Sequence, residues 1–513
     1  MNEVSSVPAG RPVVECSWAL KHRPQCLKDV ALDPADRRLL ERMRASGALQ
    51  HIVETLRYLR DNPECSERGM FEHVLVDEFQ DFNKAEQELL ELLAEGSAYT
   101  IVGDEDQSIY TTLKFAHPDG IGLFHETHPG TYDEGLVDCR RCPRLVVALA
   151  NHLIQHNTTR TARALNPWDA NPEGEVIVVQ WPTRHREAIG LSQFIRERIE
   201  TTDVQPGDVL VLTPSRQFGY AIRDNLKAVS IPAVSFFHEE VLDGTPKKLE
   251  RCQAQQAFAL LTLLAKPDDR VALRAWCGFG SSTLAASAWR RVLNHLEDAD
   301  TSPRRVLQEI VDGTLALPYT GSIVERFELL LQREQELGEL TGQVLLDALF
   351  SPDADWAETC RELATQLGET DFGADTLRET LRVGITQPER PSEADYVRVM
   401  SLHRSKGLSA EMVIVAGCID GVLPRIDEGR SPTERTRQLE EQRRLFYVAI
   451  TRCRRVLVLS SMLRIERRLV LRIGARVLGG DYMYANTIAS RYLDELGPER
   501  PDAIRGRDLV DLP

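Results

Sequence analysis

The 513-residue chain is 42% hydrophobic and 27% charged, with 62 Lys plus Arg against 78 Asp plus Glu and a formal net charge of −16. At roughly 100–200 residues per domain, this length predicts about three compact units with sizeable cores, which excludes a disulfide-dependent mini-protein and a disordered tail. No apolar run approaches the roughly 18–20 residues that span a bilayer. The first residues, MNEVSSVPAGRPVVEC, lack the basic-then-apolar order of a signal peptide, so no membrane and a cytoplasmic setting are expected. Ten Cys, with Cys139 and Cys142 as the only CxxC pair, fit free thiols better than a disulfide framework.

In chain order, the first strong pattern is the apolar run His73-Val74-Leu75-Val76, which stops at Asp77-Glu78. Asn83 to Glu95 then places Leu89, Leu90, Leu92 and Leu93 on one side of a helix, and Tyr99-Thr100-Ile101-Val102 runs into Gly103-Asp104. Strand, helix, strand, with acidic residues at both strand ends, predicts a parallel α/β unit whose functional groups sit at the carboxyl ends. Val209 to Leu212 followed by Tyr220 to Val229, and Val397 to Leu402 followed by Met412 to Ala416, predict a second α/β domain. Between them, about 251–394, Ala257 to Ala265, Val271 to Trp276 and Glu325 to Leu337 read as helices, so a helical insertion is expected.

Charge follows this order. From Phe71 to Tyr110 there are eleven acidic residues and one basic, Lys84, whereas Val397 to Gly480 holds 17 Arg or Lys against eight Asp or Glu. A carboxylate-rich segment suits a divalent cation, and an Arg-rich one suits phosphates. A solvated helix face would explain either run equally well.

Five motifs carry chemistry. In VLVDEFQD (74–81), Asp77 and Glu78 close an apolar strand, where one carboxylate can hold Mg²⁺ and its neighbour can deprotonate an attacking water. An adjacent acidic pair is also a common helix cap. VGDEDQSIY (102–110) supplies Gln107, an amide able to bond a γ-phosphate and its water. Arg140-Arg141 in LVDCRRCP and Arg452 in YVAITRCRR are candidate donors to the equatorial oxygens of a transferred phosphoryl group. In VRVMSLHRSKGLSAEMVIVAG (397–417), Ser401, His403, Lys406 and Gly407 stand at a strand-to-helix junction, a potential anion site. The single CxxC, without a second pair or His partners, makes a poor zinc site.

The ordered set DEFQD, GDEDQSIY, the CRR position, SLHRSKGL and EEQRRLFYVAITR resembles motifs II to VI of the UvrD/Rep/PcrA-type superfamily 1 DNA helicases, over about residues 70–460. The resemblance implies two RecA-like parallel-sheet domains of P-loop NTPase type, the first one incomplete, with a helical insertion in the second. It implies ATP and Mg²⁺ as cofactors, single-stranded or duplex-junction DNA as partner, and 3′-to-5′ movement. Carried over by position, Asp77 would bind Mg²⁺, Glu78 would be the general base and Gln107 the γ-phosphate sensor. Arg141 and Arg452 would contact phosphate, Arg140 would stack on adenine, and Lys406 and Gly407 would belong to the nucleotide side. Ser401, His403 and Lys114 would face DNA, and Glu441 and Tyr447 belong to the last motif. The expected division is 1–70 as the tail of a first-domain insertion, 71–138 as part of the first domain, 139–250 and 395–497 as the second, 251–394 as its insertion and 498–513 as a tail.

Departures from the pattern matter. No GxGKT loop occurs, and only about 70 residues precede the DEFQD strand, with Ile52 to Asn62 reading as a helix leading back to the core. Without that loop the β- and γ-phosphates lose an N–H cradle and a Lys, so weak unaided ATP hydrolysis is expected. After Tyr110 the chain reads Thr111-Thr112-Leu113-Lys114, with no aromatic face for a base. Ser409 stands where the family has a Glu at the ribose, although Glu411 lies nearby. Two readings follow: a truncated or split motor whose P-loop comes from elsewhere, such as a separate chain, or a non-hydrolysing scaffold that binds DNA or a protein.

Overall fold

The computed structural model describes residues 48–510 apart from 69, 112–115, 159, 161–163, 238, 298–300, 368–370 and 387–392. The chain divides into two compact units, Met1–Val234 with Ala394–Pro513, and Ser235–Glu393. Length alone argues for about three; the early α/β segment and the later one fall within a single unit.

The early segment begins with helix α1 (Ala48–Asp61). Strands β1 (His73–Val76) and β2 (Ala98–Ile101) pair in parallel, with Val76 opposite Ile101. Helix α2 (Lys84–Leu93) joins them and starts at a capping box, in which Asn83 accepts from the Ala85 and Glu86 amides and Glu86 returns to the Asn83 amide. Val76, Phe79 and Phe124 form a small apolar cluster beneath the strand ends.

The same unit contains a nine-stranded sheet. Its members are β3 (Glu175–Thr183), β4 (Val209–Thr213), β5 (Ala233–Phe236), β6 (Val397–Ser401), β7 (Ala410–Val415), β8 (Cys453–Glu466), β9 (Val477–Gly480), β10 (Tyr484–Thr487) and β11 (Ile504–Arg505). β8 lies between β7 and β3 and runs parallel to both, and β4 lies parallel between β7 and β6. All five residues of β4, VLVLT, are buried, the continuous apolar run expected of a parallel strand covered on both faces. Helices α3 (Arg144–Ile154), α4 (Arg184–Thr201), α5 (Arg216–Ala228) and, later in the chain, a 19-residue helix Pro432–Ile450 flank it. The hairpin β9–β10 pairs antiparallel with the far end of β8, Arg464–Glu466.

Trp181 on β3 is fully buried, its indole N–H donating to Ser460 Oγ at 3.1 Å. Gly190 of α4 and Gly506 both abut its ring: a Cβ built on either would lie 2.0 Å from an indole carbon. The second unit is helical, with α6 (Gln253–Ala265), α7 (Arg270–Gly278), α8 (Ala286–Glu297), α9 (Pro303–Val311), α10 (Gly321–Leu337), α11 (Gly342–Leu349), α12 (Glu358–Ala364) and α13 (Ala374–Thr386). Leu261, Phe327, Leu345 and Leu377 are fully buried in its core. The Pro432–Ile450 helix is therefore α14, and Arg467–Ile473 is α15. No helix among the described residues is long and apolar enough to cross a membrane.

Because the indole cannot retreat, Gly190→Ala should destabilise the α/β unit by about 1–3 kcal/mol, the usual cost of overpacking a dense core. Urea unfolding followed by Trp fluorescence checks this through a lower transition midpoint.

Candidate functional site

The carboxylates that end β1 are held by the turn that follows. Asp77 Oδ1 accepts the Glu78 amide at 2.8 Å. Glu78 adopts φ 54°, ψ 38°, a left-handed conformation that costs a non-glycine residue on the order of 1 kcal/mol. The next residues, Phe79–Asp81, form one 3₁₀ turn, whose Phe79 amide donates to Val102 O at the end of β2. Fully buried Gln80 links both strand ends: its Nε2 donates to Glu78 Oε2 at 2.6 Å, and its Oε1 accepts the Asp104 amide at 3.0 Å. Asp77 and Glu78 thus stay at the surface while the residues behind them are locked.

Lys406 comes to this strand end from 325 residues away. It follows β6 and the 3₁₀ turn Leu402–Ser405, and its buried ammonium lies 2.9 Å from Glu78 Oε2, 2.7 Å from Asp81 Oδ2 and 3.2 Å from the Gln107 carbonyl. Tyr110 Oη donates to the His403 carbonyl at 3.3 Å, and the Lys406 Nζ stands 5.8 Å from the Tyr110 ring centre. Arg160 forms a second bridge, to Asp106 at 2.7 Å.

Gln107 sits between the two halves. Its Nε2 donates to Asp104 Oδ2 at 2.8 Å, and its Oε1 accepts from an Arg452 terminal nitrogen at 3.3 Å. Arg452, between α14 and β8, is 2% exposed, and its Nε donates to the Val448 carbonyl at 2.9 Å. Burial draws its guanidinium down to about 10, and the nearby Arg141 cation acts in the same direction. Two like charges held together with Gln107 make a place that an anion would stabilise.

Arg140 and Arg141 are exposed and lie on the loop before α3. The Arg140 guanidinium stands 4.5 Å from the Trp168 ring centre. Both line an open cavity of about 540 Å³ with Pro172, Glu411, Arg454 and Arg455, so four guanidiniums and one carboxylate face it.

Of the residues expected from sequence, Asp77, Glu78, Gln107, Arg452 and Lys406 gather at one place, with Arg141 in their field. Arg140 lies towards the cavity. Ser401 and His403 lie behind Lys406, and both are half-buried. Burial pulls the His403 imidazole down to about 4, so at neutral pH it brings hydrogen bonds rather than charge. Exposed Gly407 has φ 83°, which favours glycine. Glu441 and Tyr447 are buried on α14. Lys114 lies outside the described residues. Sequence reasoning did not single out Asp81, Asp104, Asp106 or Arg160. The first three sit inside the quoted acidic motifs, whereas Arg160 carries no local signal.

Among the described residues no group of three or more His, Cys, Asp or Glu could hold a metal ion. Asp77, exposed and tied through one oxygen to the Glu78 amide, fits a cation whose other ligands are phosphate and water.

Parallel strands with carboxylates at their ends and arginines arriving from a second sheet define a RecA-like α/β protein. The chain is similar to the UvrD/Rep/PcrA-type superfamily 1 helicases: the UvrD/REP helicase N-terminal domain matches residues 32–129 and the UvrD-like helicase C-terminal domain matches residues 358–464. It is 29% identical to the ATP-dependent DNA helicase UvrD1 of Mycobacterium tuberculosis, over 82% of this chain and 59% of that protein. It is 26% identical to DNA helicase II of Escherichia coli over 87% of this chain and 62% of that one, and 25% identical to the ATP-dependent DNA helicase PcrA of Leuconostoc citreum over 87% and 60%. The chain thus spans about three-fifths of the length of the curated relatives it matches.

Replacing Lys406 by Met leaves Glu78 and Asp81 without their ammonium. Because Glu78 is half-exposed, the loss should be on the order of 1–2 kcal/mol, less than for a fully buried pair. Hydrogen exchange of amides 77–81 and 104–108 should accelerate about tenfold, with the helical unit 235–393 as internal control.

Proposed function

We propose that this chain is the γ-phosphate-sensing and DNA-coupling part of a UvrD-like, ATP-dependent motor that moves 3′ to 5′ on single-stranded DNA. The observation that carries the reading is the meeting of Gln107 with Arg452, 345 residues apart, beside Glu78 and within the field of Arg141. A residue that touches both an acidic strand end and a distant Arg reports whether the two segments are closed on a phosphate.

ATP with Mg²⁺, when bound, supplies the phosphoryl group and the charge that organises it. Asp77 would hold the cation. Glu78 would accept the proton of a water, and Gln107 would orient that water through its amide. Arg141 and Arg452 would stabilise charge on the equatorial oxygens. Glu411 and Arg140 in the open cavity suit the ribose and base. Ser401, His403 and Lys406 would pass closure to the DNA strand, and the Arg-rich 397–480 would follow its backbone.

The sequence holds no GxGKT loop, so the β-phosphate cradle must come from residues beyond these 513, on the same or a second chain, for turnover to be fast. The Lys406 pairing with Glu78 favours a second reading, a non-hydrolysing scaffold that binds DNA or a partner, in which that ion pair is permanent.

Purified chain should therefore show DNA-stimulated ATP turnover near background; turnover comparable to an intact helicase and abolished by Glu78→Gln would sink that expectation. Binding to a labelled oligo(dT), followed by anisotropy, should weaken steeply as salt rises, with the logarithm of affinity linear in the logarithm of salt. Failure to bind even at low salt would count against the motor and against a DNA-binding scaffold.

A further inference from the structure

The short segments Asp138–Cys139 and Asn166–Pro167 pair in parallel, with Asp138 opposite Asn166 and Cys139 opposite Pro167. One step further along the same register Arg140 meets Trp168, and its guanidinium carbon stands over the indole, 4.5 Å from the ring centre. The backbone beneath them is fastened at several points. The Asn166 amide donates to the Val137 carbonyl at 2.8 Å, and the Trp168 amide to the Cys139 carbonyl at 3.1 Å. Asn171 Nδ2 donates to the carbonyls of both Cys139 and Cys142, at 2.6 and 2.8 Å, and Arg144 Nε donates to the Asn171 carbonyl at 3.1 Å. An indole that is 40% exposed is thus held by its own loop rather than by burial.

Surface arginines over aromatic rings are common, and most do no more than tie two segments together. This pair differs by what lies in front of it. Arg140 also lines the open cavity of about 540 Å³, a volume that holds a nucleoside. Of the other arginines there, Arg454 pairs with Glu411 at 3.9 Å and Arg455 with Asp203 at 2.7 Å. Those two cations are matched by carboxylates, whereas the Arg140 guanidinium is matched by a ring. A guanidinium is planar and weakly hydrated, so a second planar group can lie on its other face.

We propose that Arg140 and Trp168 form a layered wall on which the base of a nucleotide stacks, and that this wall selects purine over pyrimidine nucleotides without separating adenine from guanine.

Trp168 enters on the reading that the cavity takes a nucleotide; its role is to position Arg140, and the class of base follows from the wall being flat. Every base has a π-face, and a purine, with two fused rings, covers more of the guanidinium than a pyrimidine does. Telling adenine from guanine requires hydrogen bonds to the base edges, which a wall that meets faces does not supply. Without the indole the long Arg140 side chain regains its rotamers, and a stacking base must order it anew.

The test is equilibrium dialysis of the full chain at low salt with Mg²⁺ and radiolabelled ATP, competed by GTP, CTP or inorganic tripolyphosphate. GTP should compete within about threefold of ATP, and CTP about tenfold less well. Trp168→Ala should narrow that purine preference to about twofold and leave the affinity for tripolyphosphate unchanged, while Trp168→Tyr, which keeps an aromatic face, should retain most of it. A merely structural role of the ring would lower the affinities for ATP and tripolyphosphate together, and that result would overturn the proposal. Equal competition by ATP and CTP, ATP favoured over GTP by more than about tenfold, or a purine preference untouched in Trp168→Ala would overturn it too, while leaving the nucleotide reading intact. Wild-type chain that holds tripolyphosphate as tightly as ATP has no base in the cavity, and both would then fall.

Discussion

The Lys406 ammonium is the contact on which the rest of the site depends. A cation buried in protein is costly unless carboxylates and carbonyls meet it. Here Glu78, Asp81 and the Gln107 carbonyl all do so. The residues that supply them lie in the acidic segment, and the Lys comes from the basic one. The opposite charge balances of these segments are thus matched at a point, and a chain that is acidic in total carries a locally compensated seam. Because the same ammonium touches Glu78 and the turn that carries Gln107, any group that competes for Glu78 also bears on the position of Gln107.

The strand ends show a division of labour between rigid and exposed groups. Phe79 and Gln80 are buried and fix the turn, while Asp77 and Glu78 face outward. Glu78 is placed there by a left-handed backbone, a local strain that the Gln80 and Val102 hydrogen bonds offset. Across the seam, Arg452 is anchored by the Val448 carbonyl and the Thr451 hydroxyl rather than by a carboxylate, which leaves its charge directed towards Gln107. The family relationship and this arrangement point the same way, although the relatives are longer than the residues seen here.

Much of this was legible in the sequence because it is local. Apolar runs that stop at Asp77-Glu78 and Gly103-Asp104 are strands β1 and β2, and the leucines after Asn83 are helix α2, begun by Asn83 itself. The continuous run Val209 to Leu212 is a central strand, and Ala257 to Ala265 lies in helix α6. What was not legible are pairings between distant residues that leave no period: Lys406 with Asp81, Arg160 with Asp106, and Arg140 over Trp168. The count of compact units also fell short of the length-based expectation, because two α/β segments share one unit.

The contacts described above between the acidic segment and the later sheet are ion pairs and amide contacts, whereas the apolar cluster of Val76, Phe79 and Phe124 is built entirely from residues 74–124. Parting these contacts exposes charged and amide groups rather than hydrocarbon, so it should carry little change in heat capacity. An equilibrium of that kind has nearly constant enthalpy. Its position would then drift gently with temperature, without the curvature that makes apolar interfaces weaken in the cold.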